Sequence, residues 1–186
     1  MHEVIYATGN TDKFTQARHV CDAAGITLVQ KGLDVPELQS DDATVIARDK
    51  AVKAFDKFQH PIVISDDSWM IPGLNGFPGP YMKYINDWFS VDDWLNLTRP
   101  LSDRRIILRQ VVAYAGDTGV ELFSLDMEGQ ILTEARGESS YPHTRIITFD
   151  GGKHTNAEYH ARQQSATAHL RNVWNEFADW YSNAHA

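Results

Sequence analysis

Hydrophobic and polar positions in the first part of the chain alternate between strand-like and helix-like spacing. Residues 4–8 form a short apolar run rich in β-branched side chains, which predicts a strand, and residues 26–29 predict a second one. Between them, apolar side chains recur at helical spacing from residue 14 to 24, behind a helix cap that Asn10 or Thr11 can supply. This alternation is typical of an α/β fold.

The same alternation continues to residue 65. Alanine and phenylalanine at helical spacing predict a helix that is capped by Ser40 and ends near Phe58. Residues 62–65 predict a third strand. Two adjacent acids, Asp66 and Asp67, follow this strand and lead into a loop rich in glycine and proline.

The second half of the chain has strands close together. The Glu128–Gly129 pair predicts the turn of an antiparallel hairpin between two of them. The predicted helices cover residues 81–89, 92–97 and a C-terminal amphipathic segment marked by Leu170, Val173, Trp174, Phe177 and Trp180. The predicted strands cover residues 105–114, 121–126, 130–135 and, more weakly, 145–149. Together these patterns predict an α/β fold with a mixed sheet, in a single domain spanning residues 1–186.

Composition narrows the classes of function. The chain has 186 residues, a formal net charge of −8 and a single cysteine, Cys21. We therefore expect no nucleic-acid polymer as a partner, because such proteins usually carry a basic surface. The N-terminal residues lack a signal-peptide pattern and no apolar run approaches a membrane span, so a cytoplasmic location and no membrane contact are expected. An acidic chain can still bind a small phosphorylated substrate, since a metal ion can lie between carboxylates and phosphates.

The segment after the first predicted strand is a candidate anion site. It runs through Thr8, Gly9 and Asn10 into a helix whose first turn carries Lys13. Backbone N–H groups at a helix N-terminus point towards an anion, and a lysine adds a positive charge. An ordinary strand-to-helix turn with a surface lysine would have the same pattern, and the spacing is not that of a P-loop.

Carboxylates form a second group of candidates. Asp66 and Asp67 follow a strand and are expected at its carboxyl end, where open α/β sheets bind ligands. Because neighbouring strand residues point to opposite faces, one of them should face a ligand while the other braces the loop. Glu37 lies in an extended segment before the helix that carries Lys50, and it could supply a second metal ligand. Solvated surface acids are the alternative in each case.

Three blocks, in order, resemble the inosine triphosphate pyrophosphatase family. They are "ATGNTDK" at residues 7–13, "LDVPELQ" at residues 33–39 followed by "ARDKA" at residues 47–51, and "SDDSWMIPGLNGFPGPYMKY" at residues 65–84. The resemblance implies an elongated mixed sheet flanked by helices, with two lobes and a nucleotide cleft between them. It also implies hydrolysis of nucleoside triphosphates of noncanonical purines, such as ITP, dITP and XTP, to a nucleoside monophosphate and pyrophosphate.

The resemblance also implies residue roles. It assigns the triphosphate to Thr8, Gly9, Asn10 and Lys13, with Lys50 assisting, and Mg²⁺ to Glu37 and Asp67. Ser68 is implied beside the metal and phosphates. The reaction would use Lys13 together with Asp66 or Asp67, one of which activates the water. Family members are usually homodimers, and Trp88, Phe89 and Trp94 are apolar candidates either for such a surface or for the core.

The second half departs from the family pattern where the purine is bound. Residues 139–149 replace the family's aromatic and aspartate segment, and only His169 stands in register in the later block, with Arg171 displaced by one residue. Tyr141, His143 and Arg145 are candidates for a rebuilt base pocket, and base specificity is expected to be altered. Two other functions remain open: a nucleotide-binding protein without turnover, and another phosphohydrolase on the same scaffold.

Overall fold

A computed structural model describes residues 2–162, 164–167 and 170–184. The strands are β1 (His2–Ala7), β2 (Ile26–Lys31), β3 (Ile62–Met70), β4 (Pro78–Gly79), β5 (Arg105–Gly116), β6 (Gly119–Ile131) and β7 (Ile147–Thr148). The helices are α1 (Thr11–Ala23), α2 (Ala43–Phe58), α3 (Met82–Trp88), α4 (Val91–Thr98), α5 (Asn156–Ala161) and α6 (Val173–Ala184). Short 3₁₀ helices cover Pro72–Leu74 and Pro142–Arg145.

The strands form one mixed sheet. Their order is β2-β1-β3-β5-β6-β7, and β4 pairs with β3 away from this path. β1 runs parallel to both β2 and β3, whereas the β3–β4 and β6–β7 pairs are antiparallel. The predicted α/β class with a mixed sheet flanked by helices is therefore confirmed.

The chain divides into two compact units that share the long strands. The first contains residues 1–67, 110–125 and 172–186, and the second contains residues 68–109 and 126–171. The prediction of one domain spanning the whole chain stays a prediction.

The first unit carries the predicted triphosphate loop and carboxylates. One apolar cluster packs α1 and α6 onto alternate residues of β1, β3 and β5, among them Tyr6 and Val63. A second cluster packs the buried alanines of α2 onto the other set of alternate residues, among them Ile5, Ile62 and Ile64. Because strand side chains alternate, these clusters cover opposite faces of the same strands.

The second unit has its own apolar cluster, contributed by β5, β6, β7 and the helices α3 and α4. Trp94 belongs to this core, with 1% of its surface exposed, so it cannot contribute to a subunit surface. Phe89 packs against this core as well. Trp88, at the end of α3, is 72% exposed and remains a candidate for a subunit surface.

The third strand is longer than the sequence predicts. β3 continues through Met70, so Asp66 and Asp67 lie within the strand rather than after it. The extension has two neighbours: β5 lies beside β3 in the sheet, and Trp69 and Met70 pair with β4, which the glycine- and proline-rich loop contributes. The residues of β3 paired with β1 are Ile62 and Val63, so both aspartates still lie beyond the carboxyl end of β1.

The predicted hairpin at Glu128–Gly129 is wrong. Both residues lie within β6, and the turn that joins β5 to β6 is at Asp117 and Thr118 instead. A Cβ on Gly129 would lie 2.8 Å from the carbonyl oxygen of Thr148 and 2.9 Å from the ring of Phe149. This glycine permits the close approach of β7 and does not mark a turn.

Smaller differences concern the ends of elements. Asp42 caps α2 by accepting a hydrogen bond from the Thr44 N–H, and Ser40 lies before this cap and accepts from the Asp42 N–H. The segment predicted as a weak strand begins as 3₁₀ helix and contributes only β7. α6 begins at Val173, so Leu170 lies outside it. Among the described helices, none combines the length and apolar character needed to cross a bilayer.

Candidate active site

The two faces of β3 place the neighbouring aspartates on opposite sides. Ser65 hydrogen-bonds to Tyr6 in the cluster that contains α1, and Asp67, two residues further, pairs with Lys13 of α1. Asp66 pairs with Lys50 of α2. We call these two sides of the strand the α1 face and the α2 face. The prediction that the two aspartates point in opposite directions is confirmed.

On the α1 face, one lysine meets one carboxylate. The Nζ of Lys13 lies 2.8 Å from the Oδ2 of Asp67, and their side chains are 34% and 29% exposed. Burial lowers the pKa of Lys13, but the charge of Asp67 and its hydrogen bond outweigh this, so the pKa is raised above its usual value. The ammonium is therefore charged throughout the physiological range and accessible to an anionic ligand.

On the α2 face, one lysine bridges two carboxylates. The Nζ of Lys50 lies 2.8 Å from the Oε1 of Glu37 and 3.1 Å from the Oδ2 of Asp66. Burial lowers the pKa of Lys50, while the charge of Asp66 and the hydrogen bond with Glu37 raise it, and the net shift is upward. The structure thus groups Glu37 with Asp66 through a shared lysine.

Asp66 also has a local structural role. Its Oδ1 accepts a hydrogen bond from the backbone N–H of Asp67 at 2.9 Å. One carboxylate therefore holds both Lys50 and the strand backbone beside it. This hydrogen bond favours Asp66 as the bracing member of the pair, and the division of roles between the two aspartates stays a prediction.

The loop between β1 and α1 is organised by its own side chains. Asn10 is the N-cap of α1, and its Oδ1 accepts hydrogen bonds from the N–H groups of Asp12 and Lys13. The Oγ1 of Thr8 accepts from the Asn10 N–H. Two of the N-terminal amides of the helix are thus already used within the protein. An anion at this loop would rely on the Lys13 ammonium and on the backbone around Gly9.

Gly9 has no structural requirement for glycine in this fold. A Cβ at this position would meet nothing within 4 Å, and its φ is not in the left-handed region. The residue is also exposed. The fold therefore does not require glycine here, and the open backbone leaves room for a ligand to approach it.

The donor atoms suit a hard cation. Glu37, Asp66 and Asp67 offer carboxylate oxygens, which Mg²⁺ prefers, and Mg²⁺ usually needs only one or two of them beside substrate phosphates and water. Within the described residues, no group of three or more His, Cys, Asp and Glu side chains is arranged to hold a metal alone. Each of these carboxylates is paired with a lysine instead.

The remaining candidates of the first half and the C-terminal block differ in accessibility. Ser68 follows Asp67 on β3 but is only 2% exposed, the least of the described candidates for substrate binding. Arg171 is exposed, and it belongs to the second unit. His169 lies outside the described residues.

Two candidates for a rebuilt base pocket, His143 and Arg145, form hydrogen bonds within the second unit. His143 is buried, its Nδ1 lies 2.8 Å from the Oδ1 of Asn86, and its ring packs edge-on against Trp69. Burial, with the nearby charge of His160, lowers the pKa of His143 to about 4, so it is neutral at pH 7. The Nε of Arg145 donates to a backbone carbonyl.

The sequence interpretation missed one contact beside the α1 face. Tyr6 and Ser65 share a hydrogen bond between β1 and β3, close to the Lys13–Asp67 pair. The signal was present as a tyrosine in an otherwise apolar strand and a serine at the expected end of the next one. Their pairing could not be recognised without the parallel register of the two strands.

Comparisons with known proteins extend over the whole chain. The model of the Ham1 family matches residues 4–180. A dITP/XTP pyrophosphatase of Methanopyrus kandleri is 32% identical over 97% of both chains, and one of Methanosarcina acetivorans is 30% identical over 98% of this chain and 99% of its own. In fold, the chain is similar to a HAM1 protein from Coxiella burnetii, with a TM-score of 0.82 and 19% identity over 98% of this chain and all of that one. The chain therefore belongs to the Ham1 family.

Proposed function

We propose that this protein is a nucleoside triphosphate pyrophosphatase that hydrolyses noncanonical purine nucleotides to the nucleoside monophosphate and pyrophosphate. The observation that carries the proposal is the set of two lysines and three carboxylates that form ion pairs on the two faces of β3, in a chain whose 30–32% identical relatives are named dITP/XTP pyrophosphatases. Charged lysines can bind phosphates, and carboxylates can activate water. Both kinds of group are needed for this reaction.

In the proposed reaction, a water oxygen attacks the α-phosphorus and the bond from that phosphorus to the bridging oxygen breaks. Pyrophosphate leaves with the bond electrons, and the water gives its proton to Asp66 or Asp67. Lys13 and the loop around Gly9 would hold the triphosphate, with Thr8 and Asn10 fixing the loop and Lys50 assisting. This positioning places the reacting phosphorus beside the carboxylates.

The proposal includes Mg²⁺ as cofactor, held by Glu37 and Asp67. When bound, the metal would neutralise phosphate charge and polarise the α-phosphate. Asp66 is the competing ligand, because the structure connects Glu37 to Asp66 through Lys50. Substitution of the two aspartates separates these assignments.

Base preference, assembly and location are further parts of the proposal. The names of the relatives favour dITP and XTP, whereas the altered C-terminal blocks favour weaker discrimination against ordinary purines. His169, Arg171 and Tyr141 are the proposed base-contacting residues. We also propose a cytoplasmic homodimer with Trp88 in its surface, which light scattering of the wild type and of Trp88→Ser would test.

A nucleotide panel tests the proposed function. Purified protein with Mg²⁺ is incubated with ITP, dITP, XTP, dUTP and the ordinary nucleoside triphosphates, and all phosphate products are quantified. We expect equal amounts of monophosphate and pyrophosphate, most rapidly from dITP or XTP. Nucleoside diphosphate with orthophosphate would indicate another phosphohydrolase, and binding without products would indicate a protein without turnover. Asp67→Asn, purified in parallel, controls for contaminating enzymes.

A further inference from the structure

A buried tyrosine on β1 lies between the two elements that carry the Lys13–Asp67 pair. Tyr6 has no exposed surface, and its ring packs against Phe14 at 6.3 Å and Trp174 at 4.9 Å between centroids. Phe14 directly follows Lys13 in the first turns of α1. The ring of Tyr6 therefore fixes the start of α1 relative to β1.

The hydroxyl of the same tyrosine reaches the neighbouring strand. Tyr6 and Ser65 share a hydrogen bond through their hydroxyl groups. Ser65 lies two residues before Asp67, so the two side chains share the α1 face of β3. The backbone pairing of β1 with β3 is at Ile62 and Val63, before this point. The hydroxyl contact thus ties β3 to β1 closer to Asp67 than the ladder does.

Tyr6 thus contacts both α1, which carries Lys13, and β3, which carries Asp67. We propose that Tyr6 is a positioning residue that sets the distance between the Lys13 ammonium and the Asp67 carboxylate, an inference that rests on the proposed function. Loss of its hydroxyl leaves the ring packed on α1 but removes the side-chain contact that ties β3 to β1 beside Asp67. A small displacement of a metal ligand or phosphate-binding group is costly, because reacting groups must be held in a narrow range of geometry.

The hydroxyl is suited to a structural hydrogen bond and not to proton transfer. Burial raises the pKa of Tyr6 to about 12, although the hydrogen bond with Ser65 acts in the opposite direction. Tyr6 therefore stays protonated at neutral pH. Its effect on the reaction would pass through the positions of Lys13 and Asp67.

The test compares two buried tyrosines of the same core. Tyr114 belongs to the same apolar cluster as Tyr6, and burial raises its pKa to about 12 as well, but its ring packs on α6. Tyr6→Phe should lower kcat about tenfold while changing the nucleotide KM much less, as expected when catalytic groups are displaced. Tyr114→Phe should leave kcat unchanged. Tyr6→Phe should also lower the thermal midpoint more than Tyr114→Phe, because it leaves the Ser65 hydroxyl without this partner.

Substitutions of Ser65 test the same contact from the other side. Ser65→Ala should lower kcat as Tyr6→Phe does, and the double variant should be no slower than either, because both changes remove one interaction. Ser65→Thr keeps the hydroxyl and should retain kcat near the wild-type value. A Tyr6→Phe variant with kcat within about twofold of wild type, or an equal loss in Tyr114→Phe, would overturn the inference.

A second readout does not depend on turnover. Mn²⁺ binding without nucleotide, followed by electron paramagnetic resonance, should weaken about threefold in Tyr6→Phe and stay unchanged in Tyr114→Phe, if Asp67 is displaced. A wild-type protein that binds Mn²⁺ but releases no pyrophosphate would contradict the proposed function, and the Mn²⁺ comparison alone would then decide the role of Tyr6. A wild-type protein that binds no Mn²⁺ without nucleotide would leave the proposed function to be decided by the nucleotide panel and the role of Tyr6 by the comparison of kcat values.

Discussion

The α1 face and the α2 face of β3 both carry carboxylates that lysines neutralise, but the ion pairs differ. On the α1 face, Lys13 has one carboxylate partner within the described part of the chain, Asp67. On the α2 face, Lys50 bridges Asp66 and Glu37, and Asp66 also holds the backbone N–H of its neighbour. Two lysines thus compensate three carboxylates. Lys13 neutralises one carboxylate on the α1 face, and Lys50 is shared by two on the α2 face.

The difference suggests a division of work between the faces. Lys13 and Asp67 have fewer partners to lose when a ligand binds, so they are the better candidates for direct contact with phosphates and metal. Lys50 and Asp66 are held by more partners, which favours a supporting role. Matched substitutions on the two faces, measured in parallel, test this division of roles.

The largest expected effect is that of Asp67→Asn. The change removes the charge of the proposed metal ligand while keeping its volume, so kcat should fall at least about a hundredfold, near 3 kcal/mol in activation free energy, with the fold intact. Asp66→Asn should cost less, because Asp66 braces the strand. Pyrophosphate release at saturating Mg²⁺, with circular dichroism for folding, measures both.

Asp49→Asn is the matched control, because Asp49 pairs with Lys53 on α2 and the same charge is removed. Its kcat should equal that of the wild type. If Asp66→Asn proves more damaging than Asp67→Asn, the metal ligand has been assigned to the wrong face.

The next effect concerns the two lysines. Lys13→Ala should weaken ITP binding about tenfold and IMP binding much less, since a charge-assisted hydrogen bond to an outer phosphate is lost. Lys50→Ala should weaken ITP binding less, because two carboxylates already hold this ammonium. Calorimetry without added metal avoids turnover. Equal losses of ITP and IMP affinity in Lys13→Ala would place this lysine away from the outer phosphates.

The fold was largely predictable where local pattern and packing agree. β1, α1 and β2 lie close to their predicted positions, because strand and helix spacing alternate cleanly and Asn10 supplies the cap. The extension of β3 was not predictable, because its partner β4 comes from a glycine- and proline-rich loop. The turn at Gly129 was predicted wrongly because the sequence does not distinguish a glycine required by the close approach of another strand from one required by a turn.

Several of the predicted site residues form ion pairs in the structure, but the sequence did not predict which residue pairs with which. The Ham1 match confirms the family resemblance from which Lys13, Glu37 and Asp67 were chosen. The grouping of Glu37 with Asp66 depends on the reach of Lys50, which a linear pattern does not specify. The contact between Tyr6 and Ser65 depends on strand register, and no motif contains both residues.

A smaller effect is expected for metal binding alone. Lys50 occupies carboxylate oxygens that a metal would use, so Lys50→Met should tighten Mn²⁺ binding about fivefold, the equivalent of one partly exposed ion pair. Electron paramagnetic resonance of unbound Mn²⁺ measures this without nucleotide. Lys53→Met removes the same charge one turn along α2, and it releases Asp49 and the Pro36 carbonyl instead. Equal tightening in both variants would mean that only net charge matters and that Lys50 does not compete with the metal.

The smallest effect separates a glycine kept for ligand approach from one that is merely tolerated. Gly9 and Gly32 both follow parallel strands, are exposed, and have open space where a Cβ would lie. Alanine at either position should therefore leave the thermal midpoint unchanged. Gly9→Ala should still raise the nucleotide KM about threefold, because the added methyl group keeps the triphosphate from the backbone, whereas Gly32→Ala should not. Steady-state kinetics with thermal unfolding measures both quantities. An unchanged KM in Gly9→Ala would show that the triphosphate does not approach this loop. The proposal that Lys13 and the loop bind the triphosphate together would then be wrong.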